Sequence, residues 1–379
     1  MNLIQLYRNT GMPLMLVVLA AVSTGCPSSS NAAYNETKLI SDVPGLAKHT
    51  DPNLVNPWGI AMSSQGPFWV ADDGSGVITL YNGQGKSISQ LPEVTVPSLS
   101  AKKAVTPVTG QVYNWDTNAF NGDTFIVAAE NGTISGWHTG ATAAVRVDNS
   151  TKGAVYTGLA IGSHKGADYL YAANFHAGTI DVFDSHYHKA SWETNAFADP
   201  HLSASSGFAP YNIESIGGKL YVTYARQNAD KTDSVAGRGN GYVDVYDMDG
   251  AFVKRLISKG TLNSPWGLAL APSDFGKFSG DLLVGNFGNG HINAFDLTTG
   301  AFRGTVTGTN GAPLAISGLW GLTAGNGHMG GNTDTVYFAA GIAGAGKVED
   351  HGLFGALTPT SQAVSSKPTV APTREDSYY

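Results

Sequence analysis

Residues 265–306 read PWGLALAPSDFGKFSGDLLVGNFGNGHINAFDLTTGAFRGTV, and this stretch decides the fold. It opens on Pro265-Trp266-Gly267-Leu268. An apolar run follows at Leu282 to Gly285, then a Gly/Asn turn, then a third run at His291 to Phe295. A tight turn at Phe295-Asp296-Leu297 leads into a fourth run, Ala301 to Val306. Short runs of about five residues, split by Asp, Asn and Gly that tolerate left-handed turn conformations, read as an antiparallel sheet and not as helix.

The unit recurs along the chain. Its opening reappears as Pro57-Trp58-Gly59-Ile60, Tyr156-Thr157-Gly158-Leu159, Pro210-Tyr211-Asn212-Ile213 and Leu319-Trp320-Gly321-Leu322, with Val112-Tyr113-Asn114 as a weaker copy. Second runs follow at Phe68 to Ala71, Phe125 to Ala128, Tyr169 to Ala173, Leu220 to Tyr224 and Val336 to Ala339. Third runs follow at Val77 to Tyr81, Thr133 to Trp137, Thr179 to Phe183 and Tyr242 to Tyr246. Six such repeats predict an all-β, six-bladed β-propeller with four-stranded blades. The last repeat lacks an outer strand after Gly352 to Leu357. Asn35 to Val43 can supply it, closing the ring and hiding a sheet edge.

Composition agrees. The 379 residues include 48 glycines, as many hairpins require, and 42% are hydrophobic, enough for a core. Only 13% are charged, about half the ordinary share. The net charge of −7 argues against a nucleic-acid partner, whose affinity depends on neutralised phosphates.

The ends read differently. Arg8, the apolar run Leu14 to Val22 and the small residues before Cys26 form an export signal over 1–26, too short to span a bilayer. The lone cysteine directly after the run resembles the lipidated residue of bacterial lipoproteins; a plain secretory signal cleaved nearby is the alternative. A linker over 27–33, the propeller over 34–358 and a disordered Ser/Thr/Pro-rich tail over 359–379 complete the division. The expected location is a bacterial cell envelope, periplasmic or outer-membrane associated. Membrane contact is expected only through the lipid on Cys26, and the protein is expected to be a monomer.

The third-run signature, an apolar pair followed by aromatic-Asp/Asn-x-x-Gly, resembles NHL-repeat propellers. Asn56-Pro57-Trp58-Gly59, Asn118-Ala119-Phe120-Asn121-Gly122, Gly207-Phe208-Ala209-Pro210-Tyr211-Asn212-Ile213 and His351-Gly352-Leu353-Phe354-Gly355 together resemble an uncharacterised family of bacterial exported propellers. Some of its members carry a C-terminal PEP-CTERM sorting tail. The resemblance implies fold and export, and no activity.

A site is expected on the face where second strands end and first strands begin. The ends of the second strands align as Asp72, Ala129, Asn174, Tyr224, Asn286 and Ala340, followed by Asp73, Glu130, Phe175, Ala225, Phe287 and Gly341. His176, Arg226 and the loop Glu349-Asp350-His351 lie just behind. Asp72, Glu130, Asn174 and Asn286 are oxygen donors suited to a Ca²⁺ ion; they equally suit hydrogen bonds to their own turns. The aromatic landmarks Trp58, Tyr113, Tyr211, Trp266 and Trp320 either stack a flat ligand at the channel mouth or pack between blades. Residues 226–241 interrupt blade 4 with a long, mixed-charge loop, read as a lid or as a solvated excursion.

Two classes of function follow. The first is an exported binding module that takes a small ligand or a protein on the channel-mouth face, through Asp72, Glu130, Asn174, His176, Arg226 and Asn286. The second is an enzyme: a metal-dependent hydrolase or lactonase with Asp73 or His351 as base, or a zinc lyase built on His176, His351 and a further histidine. G-x-S-x-G, a P-loop and a complete calcium loop are missing from the sequence.

Overall fold

The computed structural model describes residues 33–99, 105–193 and 195–360. The export signal, Cys26 and the tail beyond Thr360 lie outside the described residues. Six sheets form the ring. Blade 1 is Pro57–Ala61, Phe68–Asp72, Val77–Tyr81 and Glu93–Thr95. Blade 2 is Val108–Tyr113, Phe125–Ala129, Thr133–Trp137 and Ala144–Asp148. Blade 4 is Phe208–Ile216, Lys219–Arg226, Gly241–Tyr246 and Phe252–Ser258. Blade 5 is Pro265–Leu270, Leu282–Asn286, Ile292–Phe295 and Phe302–Thr305.

Blade 6 closes the ring as its missing strand required. Leu319–Ala324, Val336–Ile342 and His351–Pro359 are completed by Tyr34–Ser41, which pairs antiparallel with the third of them. His49–Thr50 adds a short parallel edge. Tyr34 then reaches into blade 5. It is buried, donates its hydroxyl to the Phe275 carbonyl at 2.9 Å and packs on Phe275 and Phe278. One strand therefore ties the end of the chain both to its start and to the neighbouring blade.

Blade 3 departs from the expected four strands. It has Tyr156–His164, Ala167–Asn174 and Thr179–Asp184. Beyond them, the described residues offer a single bridge, Phe183 to Lys189, and the Ala190 amide bonded to the Val182 carbonyl at 2.8 Å. The segment that follows lacks the period-two apolar pattern of a strand. It turns away and lays Trp192, Phe197 and Leu202 against the sheet. Between these residues and blade 4 lies a crevice of about 520 Å³.

The first strands surround the axis and explain the repeated glycine. Each carries a bulge just after its opening residue, which re-aims the landmark side chain. Neighbouring first strands touch backbone to backbone. A Cβ at Gly59 would lie 2.4 Å from the Thr109 carbonyl oxygen, and one at Gly321 would lie 2.4 Å from the Trp58 carbonyl oxygen. Gly110, Gly158 and Gly267 make the same approach. In blade 4 the place is taken by Asn212, whose amide donates to the Trp266 carbonyl at 3.0 Å. The glycines are the residues that let six inner strands close a narrow ring.

This ring corrects the register of blade 2. Its copy of the landmark is Val108-Thr109-Gly110-Gln111, not Val112-Tyr113-Asn114, because Gly110 occupies the ring position and Val108 pairs with the end of the second strand. Tyr113 lies instead in the apolar layer shared with blade 1. Thr109 and Thr157 take the aromatic place in blades 2 and 3.

Candidate functional site in the central channel

The upper face is the one where first strands begin. Its channel mouth is sealed by the landmarks themselves. Trp58, Tyr211, Trp266 and Trp320 join Phe175 and Phe287 in one buried cluster on the axis. Trp320 is 0% exposed and sits at its centre. It stacks on Trp58 at 3.5 Å and on Phe287 at 4.1 Å, and meets Trp266 and Tyr211 edge to face. Its indole N–H donates to Asn56 Oδ1 at 3.1 Å, while that of Trp266 donates to the Thr157 carbonyl at 2.9 Å. These rings form a plug in which Trp58, Tyr211, Trp266 and Trp320 are buried against one another, with Phe287 half-buried at its edge.

A polar cap lies over the plug. Asn56 donates from Nδ2 to Asp73 at 3.1 Å and to Glu349 at 3.2 Å. Burial, with Asp233 and Asp73 nearby, raises Glu349 to about 7. The loop over 226–241 folds inward. Gln227 donates to the Phe175 carbonyl at 2.6 Å, Asp233 accepts from the Tyr211 hydroxyl at 3.3 Å, and Gly237 N–H reaches Asn263 at 2.6 Å. This loop is a lid spanning blades 3 to 5.

The sequence-predicted donors are engaged inside their own blades. Asp72 is fully buried and accepts from the Thr79 hydroxyl at 2.8 Å and from its amide at 3.2 Å. Burial drives its pKa well above the usual carboxylate range. Asn174 donates to Asp181 at 3.0 Å and accepts from the Val155 amide. Asn286 accepts from the Asn263 amide at 2.8 Å and donates to the His291 carbonyl. Asn174 and Asn286 latch the loop that enters their blade, and Asp72 holds the third strand of its own. Glu130 is half-buried on the same face, close enough to act on the Tyr211 hydroxyl through its charge. Arg226 and His176 are exposed. His351 Nδ1 meets Asp42 at 2.6 Å, beside the closing strand. Among the described residues, no three His, Cys, Asp or Glu side chains are grouped to hold a metal ion. The upper face thus brings Asp73, Glu349 and Asn56 together, and leaves Asp72, Asn174 and Asn286 apart.

Below the plug the channel reopens. A neck of about 20 Å³ is lined by Asn212, Trp266 and the ring glycines Gly59, Gly110 and Gly321, and by one further side chain from each blade: Ile60, Gln111, Leu159, Glu214, Leu268 and Leu322. Four are apolar and two are not. The neck widens toward the lower face into two lobes of about 340 and 350 Å³, both shared by Ile60 and Glu214. The first lobe is walled by Met62, Val112, Tyr113 and Ile161, with Trp115, 51% exposed, at its rim.

Gln111 is only 6% exposed, and neither its Oε1 nor its Nε2 has a hydrogen-bond partner. An orphaned buried carboxamide costs about 1–3 kcal/mol, so it is retained against a penalty. Glu214 is half-buried and lines the same neck. Desolvation alone raises its pKa to about 8. An apolar cavity with a few convergent polar groups is the usual form of a small-molecule site. Neither residue was anticipated. With blade 2 set four residues late, Gln111 fell outside the repeat, and Glu214 comes one residue later in its blade than its counterparts. The signal was still present: two polar side chains in a ring that is otherwise Ile and Leu.

The comparisons agree with this architecture. No protein-family model matches the sequence. The uncharacterised protein R648 of Acanthamoeba polyphaga mimivirus is 33% identical over 307 residues, covering 78% of this chain and 75% of its own. The uncharacterised protein L690 of the same virus is 32% identical over 310 residues, covering 78% and 80%. The chain belongs to their family. Among solved structures, a streptogramin B lyase superposes with a TM-score of 0.51 at 14% identity, covering 87% of this chain and 98% of its own. A glucose dehydrogenase gives 0.52 at 11% identity, covering 87% and 100%. A Bacteroides thetaiotaomicron protein of unknown function gives 0.54 at 11%, covering 86% and 76%. At these identities they speak for the propeller fold alone.

Proposed function

We propose that this propeller binds a small molecule in its central channel, entering from the lower face and presenting its polar end to Gln111 and Glu214. The observation that carries this reading is the Gln111 carboxamide, buried with neither Oε1 nor Nε2 partnered, whereas the other amide side chain of the neck, Asn212, is bonded to the Trp266 carbonyl. A ring position filled by Ile or Leu in four blades serves packing; a polar exception in two blades does not. The plug above makes the channel a blind pocket, which fixes the direction of entry.

The test is a thermal-shift screen of small molecules against the wild-type chain and Gln111→Leu. Ligands of the channel raise the wild-type melting temperature by an amount set by concentration over Kd, about 2.7 kcal/mol of stabilisation at a hundredfold excess. The same compounds lose at least half of that shift in Gln111→Leu. Hits that stabilise both proteins equally would reject the channel as their site.

The hydrolase and lyase readings have less support: Asp72, Asn174 and Asn286 are bonded within their own blades, His351 is held by Asp42, and no three His, Cys, Asp or Glu side chains are grouped among the described residues. We infer further that the chain is exported and anchored through a lipid on Cys26 in a bacterial envelope, on the strength of its first 26 residues. Metabolic labelling with a fatty-acid precursor should mark the wild-type chain and spare Cys26→Ser.

A further inference from the structure

We propose that the channel ligand is an organic ammonium ion carrying a flat apolar body, with Glu214 as its counter-ion and Gln111 Oε1 as a second acceptor. This rests on the channel reading above and names the chemical class that the site takes.

The charge argument comes first. Among the described residues, Glu214 is the only charged side chain lining the neck and both lobes; no Lys, Arg or His lines them, and Tyr113 is the one other titratable group. A carboxylate enclosed by apolar walls either takes up a proton or takes up a cation. Among the described residues no cation faces it, so the carboxyl of the empty channel holds a proton, and a cationic ligand takes that proton's place. An anionic ligand would find no basic side chain there to neutralise it.

The shape argument selects the kind of cation. The neck holds about 20 Å³, room for one water-sized group. An ammonium head is of that size and donates hydrogen bonds to two acceptors, which Glu214 and Gln111 Oε1 provide. A hard metal ion takes six or more oxygens, and the other side chains of the neck are Ile60, Leu159, Leu268, Leu322, Trp266 and Asn212, the last already bonded to the Trp266 carbonyl. The body of the ligand then lies in the adjoining lobe of about 340 Å³, between Met62 and the rings of Tyr113 and Trp115. Aromatic faces there favour a flat, apolar or cationic partner. The elevated proton affinity of the empty Glu214 adds a pH signature: an ammonium ion must displace that proton. Binding therefore strengthens with pH, by up to about tenfold per unit, until pH reaches about 8.

The experiment is isothermal calorimetry with the full chain and three matched probes: 2-phenylethylammonium, 2-phenylethanol and phenylacetate, with 2-(indol-3-yl)ethylammonium as a larger member of the ammonium class. The expected result is that the ammonium ions bind at least tenfold more tightly than the alcohol, that the carboxylate does not bind, and that Glu214→Gln abolishes the preference while keeping its melting temperature. Wild-type affinity for the ammonium ions rises between pH 6 and 8. Ammonium and alcohol binding equally, both weakened by Gln111→Leu and neither by Glu214→Gln, would overturn the ammonium class and leave the channel reading standing. Probes bound equally by wild type and Gln111→Leu would overturn both. Calcium or potassium ions binding in place of all the amines, and lost in Glu214→Gln, would overturn the organic ligand in favour of a metal.

Discussion

Trp320→Ala should lower the stability of the propeller by about 4 kcal/mol, the upper range for removing a large buried aromatic. The indole is fully buried and is the one ring of the plug that touches Trp58, Tyr211, Trp266 and Phe287 at once. Its loss removes two stacked and two edge-to-face contacts, each worth about 0.5–1.5 kcal/mol beyond the area buried. It also leaves Asn56 Oδ1 without its indole donor, and Asn56 is the residue that holds Asp73 and Glu349 over the plug. The hole cannot be filled by collapse, because the first strands already touch backbone to backbone at Gly321 and Gly59. Chemical denaturation read by tryptophan fluorescence and by circular dichroism measures the change. A loss below about 1 kcal/mol would mean that the plug is loosely packed and that the upper mouth is not sealed.

Arg255→Met should cost about 3–5 kcal/mol, the range for breaking a buried ion pair by removing one partner. Arg255 projects from the outer strand of blade 4. Its guanidinium bonds Asp244 at 3.0 Å, pairs with Asp199 and lies 4.1 Å above the Tyr242 ring. Both carboxylates are almost wholly buried, so the substitution strands two negative charges. Asp199 belongs to the segment that replaces the fourth strand of blade 3, and Arg255 supplies its ion pair to blade 4, beside the Phe197 amide bonded to the Gly250 carbonyl and the Phe197–Tyr246 ring contact. Limited proteolysis should therefore cut between residues 195 and 206 in the variant well before the rest of the ring opens. The triple variant Arg255→Met, Asp199→Asn, Asp244→Asn removes the stranded charges and should recover much of the loss. Equal instability of the single and triple variants would point to packing of the Arg255 stem in place of its charge.

The fold was legible because a propeller repeats its physics. Each blade needs a close approach at the axis, a short second strand and a tight turn, so Trp-Gly, the apolar runs and Asp/Asn/Gly recur and can be aligned. Ring closure by Tyr34–Ser41 followed from one missing outer strand. What failed to repeat was misread. Blade 2 replaces the aromatic landmark by Thr109, and the nearest aromatic, Tyr113, was taken for it. Blade 3 lacks its fourth strand because the residues after Asp184 pack through Trp192, Phe197 and Leu202 and not through a period of two. At the site, Asp72, Asn174 and Asn286 suit a cation by residue type, yet each is bonded next to its own strand end, Asp72 to Thr79 of the third strand and the two asparagines to the entering loops. Their partners are backbone amides and a buried Thr or Asp, and side-chain direction at a strand end is not written in residue type. Gln111 and Glu214 are the reverse case, ordinary polar residues made unusual by the ring they interrupt.

The most direct test of the channel as the ligand site is a crystal structure of the chain grown at pH 8 with 2-phenylethylammonium. The account predicts density in the neck, with the nitrogen within about 3.2 Å of both Glu214 and Gln111 Oε1, the ring in the lobe beside Tyr113 and Trp115, and the plug unmoved. An empty channel, with the amine held instead among Asp73, Asp233 and Glu349 under the lid, would contradict it.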